Sequence, residues 1–333
     1  MNVIVSSTTM DIIRIKNLTK RFNEFLAVDH ISFEVKKGEI FGFLGPNGAG
    51  KSTTINMLST LLPPTEGEAF INDFSILTQR DEVRKSIGLV FQDPSLDDRL
   101  AAEENLRFHA RLYGVPRDEY QKRMEEVLHL VDLWDRRNDI VKSYSGGMKR
   151  RLEIARGLIH YPAVLFLDEP TLGLDPQTRA ALWDYILKLK KEKQMTIFMT
   201  THYMNEAEYC DRIAIIDHGV IVALDTPANL KKTVGGDIIT IQSRENDVIK
   251  KELAKFNNFT LREENGALQI ETADGESFLP RLLRRLTALI DTIELRKPTL
   301  DDVFIRLTGR TIRQEDASYK ERMRQYMRRQ RRT

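Results

Sequence analysis

Gly45-Pro46-Asn47-Gly48-Ala49-Gly50-Lys51-Ser52-Thr53 is the stretch that decides how the rest of this chain is read. It fills the template G-x-x-x-x-G-K-[S/T] and lies between a brief apolar run, Glu39 to Leu44, and a segment from Lys51 to about Thr60 with helical character. Strand, glycine-rich loop and helix, in that order, make a phosphate cradle. The glycines let successive backbone N–H groups turn toward one anion, and the helix N-terminus adds its partial positive charge. In such a cradle Lys51 reaches the β- and γ-phosphates, and Ser52 offers its hydroxyl to Mg²⁺. The bland alternative, a flexible glycine turn before a helix, is disfavoured by this context.

Working outward, Ile31, Phe33 and Val35 alternate as in a half-buried strand, and Lys36-Lys37-Gly38 supplies a turn. From about 93 to 160 the character is helical, with Met124, Val127, Leu128 and Val131 at i, i+3, i+4 and i+7. Ala163 to Leu167 then reads as a continuous apolar strand, Thr178 to Glu192 as a helix, and Met195 to Thr200 as another strand. Apolar strands separated by helices imply an α/β fold with a parallel sheet covered on both faces. Past Pro227 the pattern changes, and Gly235-Gly236 marks a boundary. Strands at 238–243, 259–264, 267–272 and 292–296, with helices at 246–257 and 276–289, give the order βαββαβ, compatible with a small ferredoxin-like α+β domain. The expected division is a flexible N-terminus over 1–10, a nucleotide-binding domain over 11–229, an accessory domain over 230–310 and a basic tail over 311–333.

The chain has 333 residues, a net charge of +2 and one cysteine, Cys210. That leaves room for two domains, excludes an intrachain disulfide or multi-thiolate metal site, and suits a reducing compartment. No stretch approaches the roughly 20 apolar residues that cross a bilayer. From Lys320 to Thr333, however, seven basic residues face one acidic residue, Glu321. A solvated end, attraction to anionic lipid and nucleic-acid contact all fit that run.

Two further motifs bear on chemistry. Ala163-Val164-Leu165-Phe166-Leu167-Asp168-Glu169-Pro170 delivers adjacent carboxylates at a strand's carboxyl end, where open α/β sheets bind ligands. Side chains alternate across a strand, so Asp168 can serve the Mg²⁺ shell while Glu169 faces the attacking water. Alone, such a strand exit is commonplace; downstream of a phosphate loop it is not. Tyr144-Ser145-Gly146-Gly147-Met148-Lys149 opens an apolar helix, with Ser145 as N-cap and two glycines permitting close approach. It is an ordinary helix start when read alone. A second anion-gripping helix tip in a chain with one phosphate loop implies one nucleotide each or one nucleotide shared.

In order and spacing, these motifs resemble those of ABC ATPases: a Walker A loop, a Ser-Gly-Gly signature, a Walker B strand and a later histidine. The resemblance covers about residues 11–229. Within that superfamily the chain is similar to the ATP-binding subunits of daunorubicin-resistance-type exporters, whose membrane partner is a separate chain. The segment Lys297-Pro298-Thr299-Leu300-Asp301-Asp302-Val303-Phe304, followed by Leu307-Thr308-Gly309, resembles the end of that subfamily's C-terminal domain.

The resemblance implies a P-loop NTPase core with a helical subdomain over about 93–160. It implies roles residue by residue: Phe22 stacks on adenine, Gln92 senses Mg²⁺ and γ-phosphate, Asp175 lies in the loop crossing to the other subunit, and His202 contacts the γ-phosphate. Three departures are Asn23 in place of the usual Gly, Tyr144 in place of Leu, and Met148 in place of Gln; the latter two are familiar in the exporter subfamily. The implied function is an ATP-hydrolysing homodimer on the cytoplasmic face of the membrane, closing around two ATP and Mg²⁺ to drive a permease. Glu103-Glu104-Asn105-Leu106 is a candidate for part of the docking region, with a solvated acidic helix start as the plainer reading. The rival class, a non-transport ABC ATPase acting on nucleic acid or ribosomes, fits less well. Repair members carry long coiled coils where this chain has about ninety residues, and ribosomal members usually join two cassettes; no nucleic acid partner is expected.

Overall fold

The apolar alternation upstream of the phosphate loop becomes a pair of long antiparallel strands in the computed structural model, which describes residues 10–92, 95–264 and 266–309. The basic run from Lys320, the N-terminal residues before Met10, and the hairpin residue Asn265 lie outside the described residues. The chain divides after Leu224 into two units, each with its own core.

The first unit begins with β1 (Asp11–Phe22), β2 (Phe25–Lys36), β3 (Ile40–Leu44), α1 (Lys51–Leu58), β4 (Glu66–Ile71), β5 (Phe74–Ser75), α2 (Arg80–Ser86) and β6 (Ile87–Val90). Helices α3 (Ala102–Leu112), α4 (Arg117–Leu130) and α5 (Gly146–Leu158) follow. It then returns through β7 (Val164–Asp168), α6 (Pro176–Lys193), β8 (Thr196–Thr201), α7 (Met204–Ala207), β9 (Arg212–Asp217) and β10 (Val220–Asp225). One sheet has the order β2-β1-β4-β5, the other β10-β9-β3-β8-β7-β6. The second is parallel from β9 through β6, as the apolar runs predict. Every residue of β3 and β7 is buried, and each such Ile, Leu or Phe side chain contributes roughly 1.5–3 kcal/mol. Phe33, on the antiparallel sheet, stacks on Phe41 of the parallel one at 5.2 Å, so the two sheets share one core. Parallel strands all point the same way. The ends of β3, β6, β7 and β8 therefore release the phosphate loop, Gln92, Glu169 and His202 along one edge.

The second unit comprises α8 (Pro227–Val234), β11 (Asp237–Gln242), α9 (Asn246–Leu253), β12 (Phe259–Glu264), β13 (Ala267–Thr272), α10 (Gly275–Leu283), β14 (Thr292–Arg296) and α11 (Leu300–Thr308). Its sheet order is β12-β13-β11-β14, with the three pairings antiparallel, which is the split βαβ arrangement of a ferredoxin-like unit. Ile239, Ile241, Leu268 and Ile270 pack with Ile249, Phe278 and Leu282 in its core. Two helices are shorter than their apolar pattern suggested, ending at Leu253 and Leu283. The segment after Thr299 is a helix started by a reciprocal cap: Asp302 N donates to Thr299 Oγ1 at 3.3 Å, and Thr299 N donates to Asp302 Oδ2 at 2.8 Å. Among the described residues no helix is long and apolar enough to cross a membrane.

Candidate functional site

The loop between β3 and α1 needs glycine for a definite reason. Gly50, the residue before the helix, has φ 109°, and a Cβ there would meet the Ala27 carbonyl oxygen at 2.6 Å. The loop thus lies flat against β2, and its amides can face outward. Lys51, the first residue of α1, is 4% exposed. Its ammonium donates to the carbonyls of Gly45 at 2.8 Å and Pro46 at 3.1 Å, and sits 3.1 Å from Glu169 Oε1. A buried cation held this way is poised over the loop's concave side, where an anion would replace the carboxylate.

Asp168 ends β7 and Glu169 follows it, and the two carboxylates meet different partners. Asp168 Oδ1 accepts from Ser52 Oγ at 3.3 Å and from Thr200 Oγ1 at 2.5 Å. Thr200 Oγ1 in turn accepts from the backbone N–H of Glu169 at 3.0 Å. Glu169 has φ 46°, a left-handed conformation for a non-glycine residue that costs on the order of 1–3 kcal/mol and is held by its surroundings. His202 Nδ1 lies 3.2 Å from Glu169 Oε2, near enough for charge pairing though not aligned as a hydrogen bond. Burial alone would raise the Glu169 carboxyl, but the His202 ring and the Lys51 ammonium outweigh it and hold the group at about 2.

Lys51, Ser52 and Glu169 open into a cleft of about 760 Å³ also lined by Phe22, Asn47, Gly48, Ala49, Gly50, Thr53, Gln92, Asp217 and His218, whereas Asp168, Thr200 and His202 are not in its lining. Phe22 is 44% exposed on the cleft wall, and Lys20 Nζ stands over its ring, 5.2 Å from the centroid. Asn23 beside it has φ 51°, a left-handed conformation that Asn tolerates. The oxygens of Ser52, Asp168 and Gln92 form a hard donor set with a single carboxylate. That set fits Mg²⁺ carried mainly by phosphates and water rather than by a protein cage. No cluster of three or more His, Cys, Asp or Glu that could hold a metal occurs among the described residues.

Ser145, Gly146, Gly147 and Asp175 do not line this cleft. Ser145 caps α5, its Oγ accepting from Met148 N at 3.2 Å, and Asp175 caps α6, its Oδ1 accepting from Gln177 N at 3.1 Å and Thr178 N at 3.0 Å. The two helix starts meet closely, since a Cβ on Gly147 would lie 2.3 Å from Thr178 Cγ2. Ser145 and Gly146 are exposed at this meeting point.

Several functional groups were not legible from spacing. Thr200, which bridges Asp168 and the Glu169 amide, stands at a strand exit with no motif of its own. Glu206 is 1% exposed and accepts from the hydroxyls of Thr201, at 2.8 Å, and of Thr171, tying the segment after Glu169 to the one carrying His202. Burial raises its carboxyl against those two hydroxyls. As for the docking segment, Asn105 and Leu106 are buried, Glu103 pairs with Arg107, and Glu104 accepts from Ala101 N at 2.8 Å. These contacts account for the four residues as helix-start structure. Phe108 and Leu112, one turn apart on the same helix, are 67% and 68% exposed.

Comparison with known proteins agrees with this geometry. The ABC transporter family model matches residues 28–172, and that of the DrrA1-3-like ATP-binding protein C-terminal domain matches residues 226–308. The chain is 40% identical to the linearmycin resistance ATP-binding protein of Bacillus subtilis, over 90% of this chain and 98% of that protein. It is 38% identical to the doxorubicin resistance ATP-binding protein of Mycobacterium tuberculosis, over 86% and 89%. Among solved structures, a dimeric ATP-binding cassette in a post-hydrolysis state with ADP and Pi superposes with a TM-score of 0.58 at 31% identity, over 64% of this chain and 98% of that one. An ATP-binding subunit of an ABC transporter superposes with a TM-score of 0.60 at 30% identity, over 67% and 92%.

Proposed function

This chain belongs to the ABC transporter ATP-binding proteins of the drug-resistance type, and from that premise we propose that it works as a homodimer enclosing two ATP molecules. Each ATP lies between the phosphate loop of one copy and the Ser145–Gly147 helix tip of the other. The observation that carries this reading is the composition of the cleft: Lys51, Gln92 and Glu169 line it, while Ser145, Gly146 and Gly147 do not. A twofold axis brings the two halves together twice.

In this site the amides of 47–53 and the Lys51 ammonium grip the triphosphate, and Phe22 stacks on the adenine. Ser52, Asp168 and Gln92 would hold Mg²⁺, which would supply positive charge against the triphosphate. Glu169 orients the lytic water and accepts its proton as the water oxygen attacks the γ-phosphorus and the bond to the ADP oxygen breaks. His202 contacts the γ-phosphate, and Asp175 meets the partner copy. Loss of the γ-phosphate removes the shared ligand and opens the dimer.

The names of the relatives, which concern resistance to linearmycin and doxorubicin, support small-molecule efflux through a separate membrane permease at the cytoplasmic face. The exposed Phe108 and Leu112 side chains on α3 support that helix as a place where the permease docks.

Mixing two inactive variants tests the shared site. Lys51→Ala disables the phosphate loop and Ser145→Arg blocks the signature. In a mixed dimer both lesions fall on one composite site and spare the other, so random exchange restores about a quarter of the wild-type sites. Turnover that stays at the level of the separate variants would refute the arrangement.

A further inference from the structure

Arg150 is 7% exposed on α5, one turn past the helix tip, and belongs to none of the motifs above. Its guanidinium donates to three main-chain carbonyls from two separate segments. Nε donates to Pro170 O at 2.7 Å, Nη2 to Asp168 O at 3.2 Å, and Nη1 to Phe91 O. Nη1 also donates to Glu153 Oε2 at 3.0 Å. Asp168 and Pro170 are the two neighbours of Glu169, whose backbone is in the left-handed region. Phe91 immediately precedes Gln92. Glu153, 1% exposed, turns its other oxygen to Ser95 N at 2.8 Å, beyond Gln92 on the far side.

A planar fork with five donors in fixed directions spans three carbonyls and the Glu153 carboxylate at once, whereas an ammonium has only three donors, all on one atom and without a fixed plane. The strained Glu169 conformation persists only where its neighbours are pinned, and here both flanking carbonyls are pinned by one side chain. We propose that Arg150, seated by Glu153, is a positioning residue that fixes the Glu169 backbone in its hydrolytic geometry and secures the base of the Gln92 loop to the signature helix of the same chain. This rests on the reading that Glu169 serves the lytic water. Because α5 presents its tip to the partner's nucleotide, its docking there would bear directly on the chain's own Glu169.

The test uses the full-length protein with Mg²⁺ and ATP, comparing wild type, Arg150→Lys, Glu169→Gln and the double variant. Readouts are phosphate release, affinity for a fluorescent ATP analogue, and circular dichroism. Arg150→Lys lowers kcat by about tenfold or more, as misplacement of a reacting group does, with analogue affinity changed less than about twofold. In the Glu169→Gln background the same substitution moves residual turnover by less than about twofold, because the group it positions is already gone. Wild-type kcat in Arg150→Lys, an equal loss in both backgrounds, or a loss of affinity matching the loss of turnover would overturn the proposal. If Arg150→Lys does not fold, Glu153→Gln, which keeps the shape and removes the seating charge, is read on the same measures. Wild-type turnover in Glu169→Gln would instead sink the underlying functional reading, so the two failures are distinct.

Discussion

Replacing Glu169 with Gln removes one negative charge from a buried pair without changing the side chain's shape. In the wild type that charge lies 3.1 Å from the Lys51 ammonium and 3.2 Å from His202 Nδ1. Lys51 keeps the Gly45 and Pro46 carbonyls in the variant, so the phosphate loop stays formed. Since an incoming triphosphate no longer competes with a carboxylate for Lys51, ATP affinity is expected to be equal to or higher than that of the wild type. Hydrolysis loses a group that orients the water and takes its proton. General-base assistance is worth about 10²–10⁴ in rate, or about 3–5.5 kcal/mol of barrier. The expected variant therefore binds ATP, turns over at least about a hundredfold more slowly, and accumulates as a dimer. Phosphate release, fluorescent-nucleotide titration and light scattering with Mg²⁺ and ATP measure the three quantities. Turnover at the wild-type rate refutes the assignment of Glu169, and loss of nucleotide binding refutes the account of how Lys51 is held.

Two more outcomes follow from particular contacts. Gly147→Ala places a methyl 2.3 Å from Thr178 Cγ2 and is expected to cost about 1–3 kcal/mol in chemical denaturation. Adding Thr178→Ser, which deletes that methyl and keeps the hydroxyl on Asp175, should recover most of the loss; no recovery would show that the close approach is not the cause. His109 is held down to about 3 by burial first, then by the Arg156 charge. The unfolded chain takes a proton near pH 6.5 while the folded one does not, so stability falls as pH drops from 6.5 toward 3, by about 1.4 kcal/mol per unit. His109→Gln should shrink the difference in melting temperature between pH 8 and pH 5, and an unchanged difference would count against this.

What the sequence by itself determined is local. A phosphate loop consists of contiguous residues whose glycines, lysine and hydroxyl act at fixed offsets, so Gly45–Thr53 could be read without a fold. The apolar strand ending in Asp168 and Glu169 carries its own side-chain alternation, and Ser145 caps its helix through a bond only three residues long. The ferredoxin-like order of the second unit was likewise visible, because period-two and period-3.6 patterns alternate cleanly there.

Tertiary structure alone decided the rest. Nothing near Arg150 in the chain announces that it will hold Phe91, Asp168 and Pro170, which lie 59, 18 and 20 residues away. Glu206 finds Thr171 across 35 residues, and Thr200 bridges both carboxylate positions only because β7 and β8 lie side by side in the sheet. The separation of the signature tip from the cleft also follows from where α5 emerges. The physical reason is common to these cases: a buried polar group must be satisfied by whatever the packing brings within about 3 Å, and packing depends on strand order, which local sequence does not encode.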